Sequence, residues 1–232
     1  MARVLILRER DEARRTAEAL EARGHQPLIL PLEAARPLDQ RPPQGAFTGF
    51  AVTSARAVPA LARHFPADPR PVFAVGERTG KAAREAGFPD VRVAGGTAPD
   101  IARLADAAGL SVETALLYAA GKTRTGTLEE AFNAAAIPYA VWEVYEMVRL
   151  APDEATVASV LGGAAPDAVL VLSAGQAEAF CGLAARLPKL FQPMPAILAL
   201  SRRIAEALSP ALRRDAIISS DARLASLFEC ID

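Results

Sequence analysis

Two stretches of the chain share one pattern: Phe50-Ala-Val-Thr-Ser54-Ala-Arg-Ala-Val58 and Val169-Leu-Val-Leu-Ser173-Ala-Gly-Gln-Ala177. In each, a short apolar run ends in serine and a helical pattern follows. The next element recurs as well, because the runs that end at Gly76 and Ser201 both lead into a helix. This internal similarity predicts two related domains, and the region between them is the first place to expect a ligand.

The composition is that of a globular protein with no strong net charge. Lys and Arg total 26 against 27 Asp and Glu. This balance provides no basic field for a nucleic acid or an anionic membrane, so an anionic ligand would be bound by local donors. The apolar run at residues 4–7 is too short for a signal peptide. Cys181 and Cys230 are predicted to be buried free thiols, and the cytoplasm is the expected compartment.

Short runs rich in Val, Ile and Leu alternate with helical patterns along the whole chain. This alternation predicts an α/β fold, in which a parallel sheet is covered by helices on both faces. Ten strands are expected, at residues 4–7, 28–30, 50–53, 72–75, 91–93, 116–119, 140–144, 168–172, 197–199 and 216–218. Helices are expected between the strands, for example at residues 12–23, 80–85, 99–107, 128–133, 177–186 and 202–208.

Two segments are candidate linkers between domains. Residues 37–44 are rich in Pro and Gln, and a second crossing is expected near residues 147–152. A discontinuous first domain, residues 1–36 plus 148–232, would then enclose a continuous second domain, residues 37–147, with five strands in each. The alternative is a single domain with one ten-stranded sheet.

The loops that follow the predicted strands are rich in glycine, hydroxyl and basic side chains and have few carboxylates. Ligands of parallel α/β sheets bind beyond the carboxyl ends of the strands, where helix N-termini attract negative charge. The pattern suits a ligand with several acidic groups. The candidate binding residues are Arg8, Ser54, Gly76, Thr79, Thr97, Gly121, Lys122, Ser173 and Ser201.

Each of these residues also has an ordinary structural interpretation. Ser54, Ser173 and Thr79 could be helix N-caps, and Gly76 could serve a tight turn. Arg8 could be a solvated surface side chain. Only their collective placement at strand ends favours binding.

Several common kinds of site are not supported by the residues. Gly121-Lys122-Thr123 lacks the earlier glycine of a phosphate-binding loop, and no dinucleotide fingerprint follows any predicted strand. His25 and His64 have no Cys or carboxylate at ligand spacing, and both are expected at the surface. No cofactor and no metal are therefore expected. Tyr145 directly follows the predicted strand at residues 140–144. It is the candidate proton donor or anion ligand, or alternatively a packing residue.

The order of these parts resembles the uroporphyrinogen-III synthase family. The resemblance rests on Val4-Leu-Ile-Leu-Arg8, the two serine blocks, Val75-Gly-Glu-Arg-Thr79, Leu117-Tyr-Ala-Ala-Gly121 and Val144-Tyr145-Glu. It implies two flavodoxin-like three-layer αβα domains, joined by a two-stranded linker, with the active site in a cleft. It also implies that linear hydroxymethylbilane closes to uroporphyrinogen III, with loss of water and inversion of the last ring through a spiro intermediate.

The resemblance further implies roles for particular residues. Tyr145 matches the cleft tyrosine of the family, and Ser54, Thr79 and Ser173 match positions that line the cleft. The chain departs from the family pattern where Ile204 replaces a threonine and Ala136 replaces a glycine. A monomer is expected, and hand-over of the unstable bilane from hydroxymethylbilane synthase is plausible. The alternatives are a non-catalytic two-domain binding protein and a catalytically weakened relative.

Overall fold

The computed structural model describes residues 1–109 and 115–231, and they divide into two compact units. Unit 1 comprises Met1–Ala34 and Val148–Asp232, and unit 2 comprises Ala35–Met147. The strands are β1 (Arg3–Ile6), β2 (Gln26–Ile29), β3 (Glu33–Pro37), β4 (Phe47–Val52), β5 (Val72–Ala74), β6 (Val91–Val93), β7 (Ala115–Gly121), β8 (Tyr139–Arg149), β9 (Ala168–Val171), β10 (Ala196–Ala199) and β11 (Ile217–Ile218).

The helices mostly follow strands, as the alternating pattern predicts. They are α1 (Arg10–Glu21), α2 (Val58–His64), α3 (Glu77–Glu85), α4 (Ala98–Ala107), α5 (Thr127–Ala134), α6 (Glu154–Leu161), α7 (Ala174–Arg186), α8 (Arg202–Ala205), α9 (Pro210–Arg214) and α10 (Leu224–Phe228). All ten predicted strands and all six predicted helices are confirmed at shifted bounds. The helices named by residue number did not include α2, α6, α9 and α10, although a helical pattern was expected after the Ser54 block, where α2 lies, and no strand was expected at β3.

The sheet of unit 1 has the order β11-β10-β9-β1-β2, and its pairings are parallel. Alternate residues of each strand face opposite sides of a sheet. Leu5 and Leu7 accordingly pack in one core with residues of α6, α7 and α8, whereas Val4 and Ile6 pack in another with α1 and α10. Both faces of this sheet are therefore covered by helices.

The sheet of unit 2 has the order β3-β8-β7-β4-β5-β6, and β4 to β8 are paired in parallel. Phe50 and Val52 pack with residues of α2 and α3 on one face, and Ala51 packs with α4 and α5 on the other. The alternative of one ten-stranded sheet is wrong, because the strands form two separate sheets.

Strands β3 and β8 carry the chain across the boundary between the units. They are neighbours in one sheet, where the Leu38 amide donates to the Val144 carbonyl at 2.9 Å. The sequence Glu-Ala-Ala-Arg-Pro of β3 has no large apolar residue, and no strand was expected there.

Two smaller expectations, about the cysteines and His25, are contradicted by the structure. Cys181 and Cys230 are free thiols, but Cys181 is half-buried and Cys230 is exposed, so the prediction that both are buried is wrong. His25 is buried rather than at the surface, and its Nδ1 accepts a hydrogen bond from the Ala2 amide at 3.4 Å. Among the described residues, no helix is long and apolar enough to span a membrane.

Candidate active site

In unit 1, three predicted binding residues follow three adjacent strands. Arg8 follows β1, Ser173 follows β9 and Ser201 follows β10, and β1, β9 and β10 are consecutive in the sheet. The parallel pairing places the three carboxyl ends at one edge. The local geometry at each of them decides what it can donate.

Ser173 is the N-cap of α7. Its Oγ accepts a hydrogen bond from the Gln176 amide at 3.2 Å, which confirms the capping interpretation. Capping uses an acceptor lone pair, so the hydroxyl proton remains able to donate to a ligand. Ser201 takes the same position at α8 but makes no side-chain capping bond.

The Gln176 side chain links the turn at Ser173 to Glu33 of β3, and the sequence patterns did not indicate this role. Its side chain is buried, with 3% of the residue exposed. Its Oε1 accepts from the Leu172 amide at 3.0 Å, and its Nε2 donates to Glu33 Oε1 at 2.9 Å. Since an unpaired buried amide is costly, this bonding holds the turn in place.

Arg8 is not a free donor at the sheet edge. Its guanidinium donates to Glu12 Oε2 at 2.9 Å and lies 3.4 Å from Thr16 Oγ1, on the first turns of α1. The carboxylate that binds Arg8 lies on the helix after the loop, so the composition of the loop did not show it. The spacing of Arg8 and Glu12, four residues apart, was the signal that could have shown it.

In unit 2, predicted residues follow four of the parallel strands, and Tyr145 lies on the fifth, β8, where its pairing with β7 ends. The order across the sheet is Tyr145 on β8, then Lys122 after β7, Ser54 after β4, Gly76 after β5 and Thr97 after β6. The five strands therefore present candidate groups along one edge of a sheet.

Ser54 and Thr97 are N-caps that differ in what they leave available. Ser54 Oγ accepts from the Arg56 amide at 3.3 Å, which leaves its proton for a ligand. Thr97 instead forms a capping box in which its hydroxyl donates to Asp100 Oδ2 at 2.6 Å. That bond, with the Thr97 amide as second donor, lowers the pKa of the Asp100 carboxyl. The Thr97 proton is thus already used within the helix cap.

Gly76 and Thr79 both lie near the start of α3 but have different roles there. Gly76 is the N-cap, in extended conformation, so the interpretation of Thr79 as the cap is wrong. Thr79 lies inside the helix and is 4% exposed. Its hydroxyl is therefore much less accessible than those of the two serines.

Lys122 and Gly121 lie beside Tyr145. The Lys122 amide donates to the Tyr145 carbonyl at 2.8 Å, and Gly121 pairs with Tyr145 in the register of β7 and β8. A Cβ on Gly121 would lie 2.8 Å from Cζ of the Tyr145 ring, so an alanine here would require the ring to move. The Lys122 ammonium lies 3.5 Å from Glu146 Oε2, and the hydrogen bond from Arg36 is the main reason why the pKa of Glu146 is lowered.

The Tyr145 hydroxyl makes no hydrogen bond within residues 1–109 and 115–231. Tyr118, by contrast, is buried, and its hydroxyl lies 2.9 Å from Thr53 Oγ1. Burial raises the pKa of the Tyr118 phenol, and the hydrogen bond with Thr53 opposes this rise only in part. Of these two tyrosines, Tyr145 is the one whose hydroxyl is available to a substrate.

Arg124, in the turn after β7, makes several hydrogen bonds at this edge. Its Nη1 donates to Glu143 Oε1 at 2.8 Å, to the Gly121 carbonyl at 3.1 Å and to the Lys122 carbonyl at 3.3 Å. Its Nε donates to Glu129 Oε1 at 2.5 Å. The hydrogen bond to Glu143 is the main reason why the pKa of Arg124 is raised.

The described part of the chain contains no group of three or more His, Cys, Asp or Glu side chains that could hold a metal ion. What the two edges offer instead is hydroxyl and amide donors at helix starts, with one phenol. Such donors can bind carboxylates and can deliver one proton.

Comparison with known proteins identifies the family. The family model described as Uroporphyrinogen-III synthase HemD matches residues 14–229, which is most of the chain. A search of curated proteins finds no match.

A search of solved structures finds uroporphyrinogen-III synthases, of which one aligns with a TM-score above 0.5. Uroporphyrinogen-III synthetase from Helicobacter pylori 26695 aligns with a TM-score of 0.61 at 14% identity, over 100% of this chain and 98% of that one. A mutant uroporphyrinogen III synthase from the extremely thermophilic bacterium Thermus thermophilus aligns with a TM-score of 0.49 at 19% identity, over 100% and 97%. The first alignment supports a mixed α/β fold with parallel sheets. Because the family model extends over residues 14–229, the chain belongs to the uroporphyrinogen-III synthase family.

Proposed function

We propose that this protein converts linear hydroxymethylbilane into uroporphyrinogen III, with loss of the hydroxyl as water and inversion of the last ring. The match of the family model to residues 14–229 is the observation that carries the proposal. The product belongs to tetrapyrrole biosynthesis. No cofactor is included, because the chemistry needs only a proton donor and a site that holds the chain of rings in one shape.

The donors at the two sheet edges support a substrate with acetate and propionate arms. The proposed contacts in unit 1 come from Ser173 and Ser201, whose hydroxyl protons are not used in a capping bond. In unit 2, the proposed contacts come from Ser54, Lys122 and the amides of the helix starts. Neutral hydroxyls and backbone amides can bind a carboxylate without a full positive charge.

The remaining candidates are assigned smaller parts. Gly76 supplies the exposed amides at the start of α3, whereas Thr79 and Thr97 support the helix starts, because one is buried and the other is bonded to Asp100. Arg8 is assigned to a structural pair with Glu12.

Tyr145 is the proposed proton donor. Its phenol would give a proton to the hydroxyl of the bilane, so that the carbon–oxygen bond breaks and water leaves with the electron pair. The azafulvenium cation that forms is attacked by the last ring at the carbon that bears its methylene bridge, which gives the spiro intermediate. The bond from this carbon to the original bridge then breaks, the bridge carbon bonds to the other α-carbon of the ring, and the proton lost when the pyrrole becomes aromatic again returns to Tyr145. Its accessible hydroxyl and its place beside Gly121 support this role.

The two units are proposed to be flavodoxin-like domains, residues 1–36 plus 148–232 and residues 37–147, with β3 and β8 as the linker. The strand orders support this assignment. Unit 1 runs β2-β1-β9-β10-β11, and the parallel strands of unit 2 run β8-β7-β4-β5-β6. The two orders match when β7 and β8 are counted as the first two strands of unit 2. That the substrate lies between the domains, that the protein is a monomer and that hydroxymethylbilane synthase hands over the bilane stay predictions.

The test is the isomer that the protein makes. Purified protein is mixed with a large excess of freshly generated hydroxymethylbilane, and the type I and type III isomers are then separated by chromatography. Spontaneous closure gives the symmetric type I isomer, so a predominance of type III is expected. Heat-denatured protein is the control. Type I alone would refute catalysis, and bilane found bound to the protein in that case would favour a binding protein.

A further inference from the structure

Pairing between β7 and β8 shifts register next to Tyr145. Ala120 pairs with Glu143, but Gly121 pairs with Tyr145, so Val144 has no partner on β7. This is the geometry of a β-bulge, in which one extra residue changes the direction of the side chains that follow. The bulge lies at the carboxyl end of β7, at the edge where the candidate residues lie.

The bulge changes the face to which Tyr145 points. Consecutive residues of a regular strand face opposite sides of the sheet. Val144 nevertheless belongs to the core on the α2 and α3 side, and Tyr145 packs against the same core. Without the extra residue, Tyr145 would share the other face with Val141 and Tyr139, which pack on the α4 and α5 side.

Gly121 leaves the space that the tyrosine ring takes up. A Cβ at this position would lie 2.8 Å from Cζ and 3.0 Å from the hydroxyl oxygen of Tyr145. Contacts under 3.0 Å force one of the two groups to move. The position of the phenol therefore depends on the backbone of the turn after β7.

Arg124 fixes that backbone. A single nitrogen, Nη1, donates to the carbonyls of Gly121 and Lys122 and to the carboxylate of Glu143, which lies two residues before Tyr145. Glu129 on α5 holds Nε from the other side. The side chain thus joins the turn, the bulged strand and a helix, and only a forked guanidinium can make these contacts together.

We infer that Arg124 is a positioning residue for Tyr145: through Gly121 and Glu143 it holds the bulge that directs the phenol, and it does not itself bind the substrate. This inference rests on the proposed function for its kinetic consequence, but not for its structural one. A shift of the phenol by about 1 Å is expected to slow the reaction about 10- to 100-fold, because proton transfer depends on near-contact geometry.

The experiment uses the whole protein with all three tyrosines replaced by 3-fluorotyrosine. Fluorine NMR then gives one resonance each for Tyr118, Tyr139 and Tyr145, assigned with single Tyr→Phe variants. In Arg124→Met the Tyr145 resonance is expected to shift or broaden, while that of Tyr139, whose ring packs on Phe132 at 5.4 Å, stays in place.

The matched control is Arg84→Met, which removes an arginine from a surface ion pair with Glu77 in the same unit. It is expected to leave the three resonances and the activity unchanged. Glu143→Gln and Gly121→Ala provide second routes to the same contact if Arg124→Met folds poorly. Both are expected to move the Tyr145 resonance.

Steady-state kinetics separate positioning from binding. Arg124→Met is expected to lower kcat about 10- to 100-fold with KM nearly unchanged, and Arg124→Lys to restore only a small part. A rise in KM at constant kcat would overturn the inference, because Arg124 would then bind substrate. So would an unmoved Tyr145 resonance in Arg124→Met and Gly121→Ala. A moved resonance in a protein that forms only the type I isomer would uphold the positioning role and refute the proposed function.

Discussion

Replacing Ala136 by glycine is expected to stabilise the protein. Helix α5 ends in a Schellman motif, in which the Ile137 amide donates to the Phe132 carbonyl at 2.9 Å and the Ala136 amide donates to the Asn133 carbonyl at 3.2 Å. Ala136 occupies the left-handed position of this motif, with φ at 53°. Glycine is the usual residue there, because a Cβ meets the neighbouring carbonyl.

The size of the effect follows from two opposing contributions. A left-handed conformation disfavours an L-residue by about 1–2 kcal/mol. Glycine gains freedom in the unfolded chain, which offsets about 0.4–1 kcal/mol of this. Ala136 is exposed, so no packing is lost with its methyl group. We therefore expect a net increase of about 0.5–1 kcal/mol in the free energy of unfolding.

Thermal unfolding and urea unfolding measure this change. For a chain of this length, 1 kcal/mol corresponds to about 2–4 °C in Tm. Ala19→Gly is the matched control, since Ala19 is exposed within α1, and it is expected to lower stability by about 0.5–1 kcal/mol. If Ala136→Gly destabilises the protein as much as Ala19→Gly does, the backbone reasoning is refuted.

The other predictions concern two glycines and two tyrosines. Gly182→Ala in α7, where an added Cβ contacts nothing, is expected to raise Tm. Gly80→Ala places a Cβ 2.4 Å from Val93 Cγ2 and is expected to lower the free energy of unfolding in urea by about 1–3 kcal/mol. Equal effects of the two substitutions would contradict this reasoning. Burial raises the pKa of Tyr118 in the folded state, so the contribution of its neutral phenol to stability is complete below pH about 10 and is lost as the pH rises through the folded pKa. Tyr118→Phe is therefore expected to flatten the fall in the free energy of unfolding above pH about 10. An unchanged slope would refute the role of Tyr118. Tyr145→Phe is expected to slow formation of the type III isomer about 100-fold or more at unchanged Tm, and full activity would remove the proton-donor role.

The strands could be predicted because their signal is local. Buried parallel strands are runs of Val, Ile and Leu, and all ten runs became strands. Strand β3 has no such signal, since Glu33-Ala-Ala-Arg-Pro37 is short and has no large apolar residue. It pairs with β8, which is its neighbour in the sheet. Helix α2 begins at Val58, where the Ser54 block ends, so the helical pattern expected after this block was also visible locally.

Some contacts of the candidate residues could likewise be predicted from the sequence, and others could not. Ser173 caps α7, and Ser54 caps a short 3-10 helix at Ala55–Ala57 that leads into α2; each helix begins at the next residue, so the capping role was visible in the chain itself. Arg124 and Glu143 lie 19 residues apart, and no periodicity connects them. The burial of Thr79 depends on how α3 packs against its sheet, which no local pattern reports.

By itself, the sequence determined the α/β class, the internal similarity and the set of residues at the strand ends, because strand and helix patterns depend on neighbours a few residues apart. Only the tertiary structure decided which donors remain available and where Tyr145 points. Pairing between β7 and β8 creates the bulge, and Gly121 and Arg124 set the place of the phenol through contacts that exist only after these strands meet.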